Sequence, residues 1–407
     1  MRIALLTLLG CASPLPAADF DKDVAALLAL RCVECHGGAD PKGGLDLTRK
    51  DAVLGKGGPV VPGKPDASDL WKRVASDEMP PKKPLSAAEK AVLKEWIAGG
   101  AAWGTDPIDP FAATTTTRAG RDWWSLQPIK RPDVPSGANP IDHFVRKTLA
   151  DSKMEPAPPA AKRTLIRRVY YDLVGFPPTF EEVKAFAKDD DPKSYEELID
   201  KLLASPHYGE RWGRYWLDVA RYAETCGYER DQVKPDAWKY RDWVIKAFTD
   251  DMPFDRFVLE QLAGDELPDR SPSTLVATGF IRLGTWNDEP NDPNEYKYDR
   301  LEDMVGATTT AFLAMTVKCA RCHDHKFDAI RQTDYYRVAG VFWAGFIESG
   351  PRELLGGPDA KALGEANVFA WTDRGREVPP IKLLKKGDPN RPGAVVEPGH
   401  ISFLPAL

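Results

Sequence analysis

Two copies of one motif, C-x-x-C-H, constrain this chain more than any other feature of its sequence. The first copy is CVECH at residues 32–36, and the second is CARCH at residues 319–323. Random placement of the six cysteines and six histidines in 407 positions would give about 0.001 such motifs per chain. Two thiols at this spacing can each bond one vinyl group of a haem, and the following histidine can bind the iron. The sequence therefore predicts covalently attached haem.

The cysteines of both motifs are the predicted attachment points, and the two histidines are predicted iron ligands. These residues are Cys32, Cys35 and His36 in the first motif, and Cys319, Cys322 and His323 in the second. We expect haem c in two copies, and in one copy at minimum. Exported C-x-x-C pairs can instead form disulfides or redox dithiols, and Cys/His clusters can hold zinc. His325 follows the second motif closely, so a structural metal site there is an alternative, although four ligands so close together suit a tetrahedron poorly.

The first eighteen residues have the form of an export signal. Arg2 is basic, the stretch Ile3–Leu9 is apolar, and small residues precede Asp19. The apolar stretch is too short to span a membrane. The sequence LLGC, which ends at Cys11, offers an alternative, because it resembles a lipoprotein cleavage site with a lipid anchor on that cysteine. Both interpretations predict an exported protein that is periplasmic or associated with the cell envelope.

Residues 19–104 are predicted to form a small haem domain of the class I cytochrome c type. An apolar helical face runs into Cys32, and a capping box at residues 86–89 opens a closing helix. Between these helices, Met79 lies in the proline-rich sequence DEMPP at residues 77–81. A thioether in such a loop can bind the iron on its distal side, which raises the reduction potential. Met79 is therefore a further predicted metal ligand.

The remaining residues divide into three segments. Residues 105–140 are rich in Pro and Thr and predict a linker, residues 141–350 predict a larger helical domain around the second motif, and residues 351–407 predict a Pro/Gly-rich tail. With the signal at residues 1–18 and the small haem domain, this gives five segments. The predicted fold class is mainly α, with a small class I cytochrome c domain and a larger helical domain that also bears haem.

Several helices of the large domain can be predicted individually. Capping boxes that begin at Thr179 and at Ser194 predict two helix starts. An apolar, Ala/Thr-rich stretch at residues 301–317 predicts a buried helix that delivers Cys319. Residues 335–346 predict another apolar helix behind the second motif.

The distal ligand of a second iron cannot be ranked from the sequence. The candidates are His325, His207, His143, Met304, Met315 and Tyr215. His325 lies only two residues from His323, so we expect it to support the site rather than to reach the opposite face of the haem. If no side chain binds the iron there, the site is open to peroxide or another small molecule.

Charge and composition limit the classes of molecule that we expect this protein to bind. The 55 basic and 61 acidic side chains are mixed along the chain and give a formal charge of −6 without a basic block, which excludes nucleic acid. The expected partner is a redox protein or a small-molecule electron donor or acceptor, and the oligomeric state is left open. Residues 287–295 concentrate oxygen ligands and could hold calcium, but their spacing matches no EF-hand loop, so a solvated acidic loop is the alternative.

Longer strings of residues carry a resemblance to a known family. RCVECHGG at 31–38 and MPPKKPLS at 79–86 resemble the planctomycete-type cytochrome c domain. SPHYGERWGRYWLDVARYAET at 205–225 and CARCHDHKFDAIRQTDYYRVAGVF at 319–342 resemble the domain of unknown function 1549 that follows it in exported proteins. The resemblance implies haem at the first motif with Met79 as distal ligand, and haem attachment at the second motif. It implies no particular reaction.

The chain departs from the family pattern in three places. The family commonly has His where this chain has Tyr215, and Asn where it has Cys226. A relative that binds iron through that His would have a distal ligand that this chain lacks, so the resemblance implies a Tyr-ligated or open second haem here. Family members usually continue into a further C-terminal domain, so we expect a fragment or a shortened relative.

These observations favour an exported dihaem c-type cytochrome that carries single electrons. One alternative is a haem-dependent oxidoreductase, peroxidase-like or acting on an organic substrate, in which the second haem is open. Another alternative is a monohaem protein whose second motif is a structural metal site. The sequence does not decide whether the protein is an enzyme.

Overall fold

The computed structural model describes most of the chain. The described residues are 19–37, 41–112, 114–115, 118–287, 289–343, 368–372 and 380–404. The predicted export signal with Cys11, and the first part of the predicted tail, lie outside them. The described residues are mainly α-helical, which confirms the predicted fold class. Two compact units can be distinguished: Met1–Ile129 with Asp324–Ala329, and Lys130–His323 with Ile330–Leu407.

The first unit is a small helical domain with one apolar core. Its helices are α1 (Ala25–Arg31), α2 (Lys50–Leu54), α3 (Asp69–Ala75) and α4 (Ala87–Ala98). Leu28, Val53, Val74 and Ile97 are almost completely buried in that core. Burial of such side chains is worth about 1.5–3 kcal/mol each, so these four helices hold together mainly through their apolar faces.

The first unit extends past the small haem domain predicted from the sequence. Ile108 and Phe111 are buried, and the Ile108 N–H donates to the Thr48 carbonyl at 2.7 Å. The Thr105 N–H donates to the Asp21 carboxylate. The predicted linker therefore begins with residues that pack in the first unit. The boundaries of the five segments inferred from the sequence stay predictions.

The second unit is larger and contains most of the helices. These are α5 (Pro140–Asp151), α6 (Lys162–Leu173), α7 (Phe180–Lys188), α8 (Ser194–Leu203), α9 (Pro206–Val219), α10 (Ala237–Thr249), α11 (Phe254–Ala263), α12 (Pro272–Ala277), α13 (Gly279–Arg282), α14 (Pro293–Leu313) and α15 (Gln332–Trp343). Two short strands, β1 (Ile381–Leu384) and β2 (Pro392–Val396), pair antiparallel with Ile381 opposite Val396. The sequence predicted only a Pro/Gly-rich tail where these strands lie.

Helices α9 and α10 pack closely because small residues lie between them. A Cβ atom added at Gly209 would collide with the Thr249 hydroxyl and would lie 2.6 Å from the Ile245 carbonyl oxygen. The indole N–H of Trp216, a residue of α9, donates to the side chains of Tyr240 and Gln261. Trp216 therefore contributes to the core of the second unit.

Three predicted helix boundaries are wrong or only partly right. Helix α8 has Lys193 rather than Ser194 before its first turn, and no side chain caps it. The helix predicted at residues 301–317 begins eight residues earlier, at Pro293, and ends at Leu313, because Ala314 takes a left-handed conformation (φ 53°). Helix α15 covers Gln332–Trp343, and residues 344–346 of its predicted range lie outside the described residues. The capping boxes at Ser86 and Thr179 are confirmed.

Among the described residues, none of the helices combines the length and the apolar character that crossing a bilayer requires.

The Glu182 carboxylate of α7 is bonded by residues of α6 and α8. A hydrogen bond from Tyr170 and further bonds from the Thr179 N–H and Lys201 lower the pKa of Glu182 from 4.5 to about 2. A carboxyl group with a lowered pKa in the folded state stabilises the protein above pH 4.5, and this contribution is lost as the pH falls towards 2. We expect Glu182→Gln to lower the unfolding temperature at pH 7 and to flatten its decline between pH 5 and 2.

Thermal unfolding followed by circular dichroism measures this dependence. Glu181→Gln, at the exposed neighbouring position on α7, is the matched control and should leave the pH profile unchanged. An identical decline in wild type and in Glu182→Gln would show that Glu182 does not contribute to the acid sensitivity.

Candidate haem-binding sites

The first motif closes helix α1. The Cys32 N–H donates to the Leu28 carbonyl at 2.9 Å, and the His36 N–H donates to the Cys32 carbonyl at 2.9 Å. Val33 is buried in this turn, whereas Cys32, Cys35 and His36 are only half-buried. The local fold thus anchors the motif through Val33 and leaves Cys32, Cys35 and His36 partly exposed.

The ring of His36 is oriented by a hydrogen bond. Its Nδ1 lies 3.1 Å from the Lys42 carbonyl oxygen. A carbonyl can only accept, so Nδ1 carries the proton and Nε2 is the nitrogen with a lone pair. An imidazole held in this tautomer by a backbone carbonyl is the usual arrangement of a metal-binding histidine.

Four of the predicted site residues line one cavity. Cys32, Cys35 and His36 form part of its wall, and Met79 lies on the wall as well. The cavity measures about 450 Å³, and the rest of its lining is mostly apolar, with Leu47 among its residues. This size and character are those of a pocket for a large apolar ligand. The residues present therefore fit a haem attached through both thiols.

The Met79 loop is fastened to the rest of the first unit at several points. The Met79 N–H donates to the Arg73 carbonyl at 3.1 Å, and the Arg73 guanidinium pairs with Glu78. The Arg31 guanidinium donates to the carbonyls of Lys83 and Pro84 at 3.2 and 2.9 Å. Arg31 directly precedes the first motif, so one side chain connects the attachment edge of the cavity with the loop that carries Met79.

Arg31 was not predicted as a functional residue. Its role depends on contacts with residues more than fifty positions away. A single arginine before a motif is not a pattern that sequence analysis can recognise. Its guanidinium also pairs with Glu89 of α4 at 3.2 Å.

The surroundings of Cys32 favour its neutral thiol over the thiolate. Burial raises the pKa of Cys32 from 9.0 to about 12, and the positive charge of Arg31 only partly opposes this effect. Reactive redox cysteines have a lowered pKa, because the thiolate is the reactive form. The environment of Cys32 therefore disfavours the thiolate of this residue, which is the form that redox chemistry needs.

The second motif lies in a short turn after α14. Val317–Ala320 forms a single 3₁₀ turn, and Val317 and Ala320 are buried while Cys319 is exposed. Cys322 and His323 are exposed as well, and neither cysteine of the motif is in a disulfide. The donor set at this turn, two accessible thiols and an adjacent imidazole, has the chemistry that covalent haem attachment needs.

Arg321, between the two cysteines, fixes the second motif to α14. Its side chain is 9% exposed and donates to Asp299, Glu302 and Glu295 at 2.6, 2.8 and 2.9 Å. These three carboxylates lie four and three residues apart, which places them on one face of the helix. Charge-assisted hydrogen bonds of this kind are stronger than hydrogen bonds between neutral groups.

The backbone of Arg321 is also held in place. Its carbonyl accepts from the Gln332 amide at 2.8 Å and from the Tyr336 hydroxyl at 3.1 Å, both on α15. On the other side, a Cβ atom added at Gly387 would lie 2.5 Å from the Cys322 sulfur. Gly387 also has φ +74°, so glycine allows both this turn and the close approach. No pattern in the sequence indicates these long-range contacts.

The predicted distal candidates occupy different environments. Met304 is 1% exposed in the core of the second unit. Tyr215 is exposed with the Arg211 guanidinium over its ring, and His207 bonds to Glu210. His325 belongs to the first unit and is buried, and its Nδ1 accepts from the N–H groups of Phe327 and Asp328. The distal side of the second site stays a prediction.

Where the structure describes residues 287–295, their acidic side chains bond to other residues of this chain. The Asp292 carboxylate caps α14, Glu289 pairs with Arg230, and Glu295 pairs with Arg321. Within the described ranges, which omit Asp288, no three or more His, Cys, Asp or Glu side chains are grouped as a metal site. Calcium binding at this stretch stays an untested prediction.

Comparison with known families agrees with this arrangement. Residues 32–83 match the family described as Planctomycete cytochrome C. Residues 140–344, half of the chain, match the family described as Protein of unknown function (DUF1549). The chain belongs to the DUF1549 family. This DUF1549 protein has the two domains in the predicted order, so the resemblance seen in the sequence is confirmed.

The cytochrome domain identifies this DUF1549 protein as a cytochrome-type haem protein that carries at least one haem c. The family descriptions name no reaction for the second domain. No curated protein and no solved structure matches the chain.

Proposed function

We propose that this DUF1549 protein is an exported dihaem c-type cytochrome that carries single electrons. Haem bound at Cys32, Cys35 and His36, and at the second motif, supplies a reversible one-electron change of its iron. Met79 would be the distal ligand of the first iron. The partners would be a redox protein or a small-molecule electron donor and acceptor.

The cavity of the first unit carries this proposal. Both thiols, an imidazole with its Nε2 lone pair available, and a thioether line one mostly apolar space. An apolar wall excludes water, and a methionine ligand raises the reduction potential of the iron. Chain residues alone therefore supply attachment, proximal ligation, distal ligation and a low-dielectric environment.

The second motif supports a second haem. Its thiols are exposed, and contacts from α14 and α15 fix Arg321 between them. A motif that must bond a rigid macrocycle at two points benefits from a backbone that is already fixed.

The test is the number of covalently bound haems. The chain is produced in cells with the haem-attachment machinery, and haem, iron and zinc are measured per polypeptide. We expect two haems and no zinc in the wild type, and one haem in Cys319→Ser/Cys322→Ser. Cys226→Ser is the matched control, since Cys226 lies outside both motifs, and should retain two haems. One haem in the wild type, unchanged in the double variant, would overturn the dihaem proposal.

A separate measurement, the mass of the holoprotein in each cell fraction, tests export. If residues 1–18 are removed on secretion, the mass of the holoprotein from the periplasmic fraction will begin at Asp19. A mass that begins at Cys11 and includes acyl chains would instead support the lipid-anchored alternative. Holoprotein with all eighteen residues in the cytoplasmic fraction would contradict export.

A further inference from the structure

Residues 80–85, which directly follow Met79, have few backbone donors of their own. Three of these six residues are prolines, which carry no backbone N–H. Where the structure describes the chain, the hydrogen bonds that reach this segment all come from the Arg31 side chain. Arg31 donates to the Lys83 carbonyl at 3.2 Å and to the Pro84 carbonyl at 2.9 Å. One guanidinium therefore supplies the polar attachment of the whole segment.

The two sides of Met79 are held in different ways. On the side that precedes residues 80–85, the Met79 N–H donates to the Arg73 carbonyl at 3.1 Å, which bonds Met79 to α3. At the far end of the segment, Leu85 is 5% exposed in the apolar core of the first unit. Between these two points the chain depends on Arg31. Loss of its bonds would free the segment next to Met79 while both ends stayed in place.

Arg31 is itself held by two helices of the first unit. It is the last residue of α1 and directly precedes Cys32. Its side chain is 21% exposed, and its Nε lies 3.2 Å from one carboxylate oxygen of Glu89 in α4. The other Glu89 oxygen accepts from the Ser86 N–H at 2.7 Å. A planar guanidinium presents its donors in fixed directions. Its donors therefore have a defined position for the carbonyls of the loop.

The loop position matters because a thioether is a weak ligand. Methionine sulfur is a poor acceptor, so its binding to an iron depends on how closely the chain holds it to the cavity. Arg31 and Met79 both lie on the wall of the cavity that contains the first motif. A tether beside Met79 therefore raises the local concentration of its sulfur at this site.

We propose that Arg31 is a positioning residue for the distal ligand of the first haem. By bonding the carbonyls of Lys83 and Pro84, it keeps Met79 at the cavity and limits the access of competing ligands to the iron. This inference depends on the proposed function at the first motif, with Met79 as distal ligand. It concerns the first unit alone and is independent of haem at the second motif.

Titration of the oxidised holoprotein with imidazole, followed by absorption, tests this role. The full chain carries Cys319→Ser/Cys322→Ser throughout, so that only the first haem responds. In Arg31→Gln the affinity for imidazole should rise about tenfold, because a hydrogen bond from a charged donor changes an equilibrium by about this factor. Arg31→Lys keeps the charge but lacks the planar fork, so its affinity should rise as well. An effect of charge alone would be absent in Arg31→Lys.

Two controls remove ion pairs without removing the bonds to the loop. Arg49→Gln is matched for the loss of one guanidinium, because Arg49 pairs with Asp46 in the same unit and is 65% exposed. Glu89→Gln removes the charge beside Arg31, while glutamine can still complete the capping box of α4. Both controls should bind imidazole with an affinity within about twofold of the parent, well below the tenfold change expected for Arg31→Gln.

A double-mutant cycle shows whether Arg31 acts through Met79. Met79→Ala should bind imidazole more tightly than the parent, because it has no sulfur to displace. Addition of Arg31→Gln to Met79→Ala should then change the affinity no further. Two residues that act on one equilibrium are coupled in this way, whereas independent effects add. A general loosening of the cavity would increase the affinity in both backgrounds.

The outcomes separate this inference from the proposed function. No gain of affinity in Met79→Ala contradicts Met79 as distal ligand and therefore the function proposed for the first site. A gain in Met79→Ala but none in Arg31→Gln leaves that function standing and overturns the role of Arg31. So does an equal gain in Arg49→Gln, or a gain from Arg31→Gln that persists without Met79. If Arg31→Gln does not load haem, Arg31→Lys decides, and failure of both to load overturns the inference, because the proposed role begins after attachment.

Discussion

Replacement of Met79 by histidine is expected to lower the reduction potential of the first haem by roughly 0.2 V. Axial ligands set haem potentials over a range of about 0.8 V, and a methionine ligand lies toward its upper end. Met79 lies on the wall of the cavity that also holds Cys32, Cys35 and His36. The loop is fixed by the Met79 N–H bond to Arg73 and by Arg31, so an imidazole at this position stays close to the cavity.

Potentiometric titration of the holoprotein measures this shift. Met154→His is the matched control, because Met154 is 60% exposed in the second unit and should leave the first potential unchanged. Met79→Ala adds a readout that does not depend on histidine, since an iron with an open position should bind added imidazole. An unchanged potential in Met79→His, together with no imidazole binding in Met79→Ala, would show that Met79 is not the distal ligand.

Local sequence signals predicted the helix starts that depend on local bonds. Ser86 and Thr179 cap their helices because each capping box is completed within four residues. Ser194 carries the same pattern, but the Asp191 carboxylate already accepts from the Lys193 N–H, so the helix starts before the serine can cap it. A short sequence pattern cannot show which of two competing polar residues will bond the first turn.

The end of α14 shows a second limit of sequence patterns. Ala and Thr continue the helical pattern past Leu313, yet the chain turns at Ala314 in a left-handed conformation that usually calls for glycine. The Ala314 N–H bonds back to the Thr309 carbonyl, and the turn allows Val317 to reach the core. Tertiary packing of Val317 therefore offers a physical reason why the intrinsic preference of the sequence was overridden.

The residues of the candidate sites also divide into those that a sequence pattern can predict and those that it cannot. Cys32, Cys35, His36 and Met79 could be predicted, because thiol spacing and a thioether in a proline-rich loop are chemical signals within the sequence. Arg31, Arg321 and Gly387 could not, since each acts through residues far away along the chain.

A second large effect is expected in the polar core of the second unit, where Asp303→Asn should lower the free energy of unfolding by about 3 kcal/mol. The Asp303 carboxylate accepts from Arg300 at 2.8 Å and from Arg221. Arg300 is 2% exposed, and burial lowers the pKa of both guanidinium groups while Asp303 opposes this effect. Removal of one partner from a buried ion pair leaves an uncompensated charge, which is why the cost is large.

Backbone carbonyls also accept hydrogen bonds from the buried cations of this core. Arg300 donates to the carbonyls of Leu283 and Thr285, and Lys234 donates to the carbonyl of Gly284 between them. These bonds satisfy donors, but they carry no negative charge and cannot replace the carboxylate. Asp303 should therefore contribute much more than a carboxylate in an exposed ion pair.

Urea unfolding followed by circular dichroism compares Asp303→Asn with a surface control. The control is Asp250→Asn, whose partner Lys246 is 72% exposed, and its cost should be at most about 1 kcal/mol. If both variants shift the unfolding midpoint equally, the carbonyls of the 283–285 loop compensate the buried cations without Asp303. Because α14 carries both Asp303 and the three carboxylates beside the second motif, Asp303→Asn should also reduce haem loading at that motif while leaving the first haem in place.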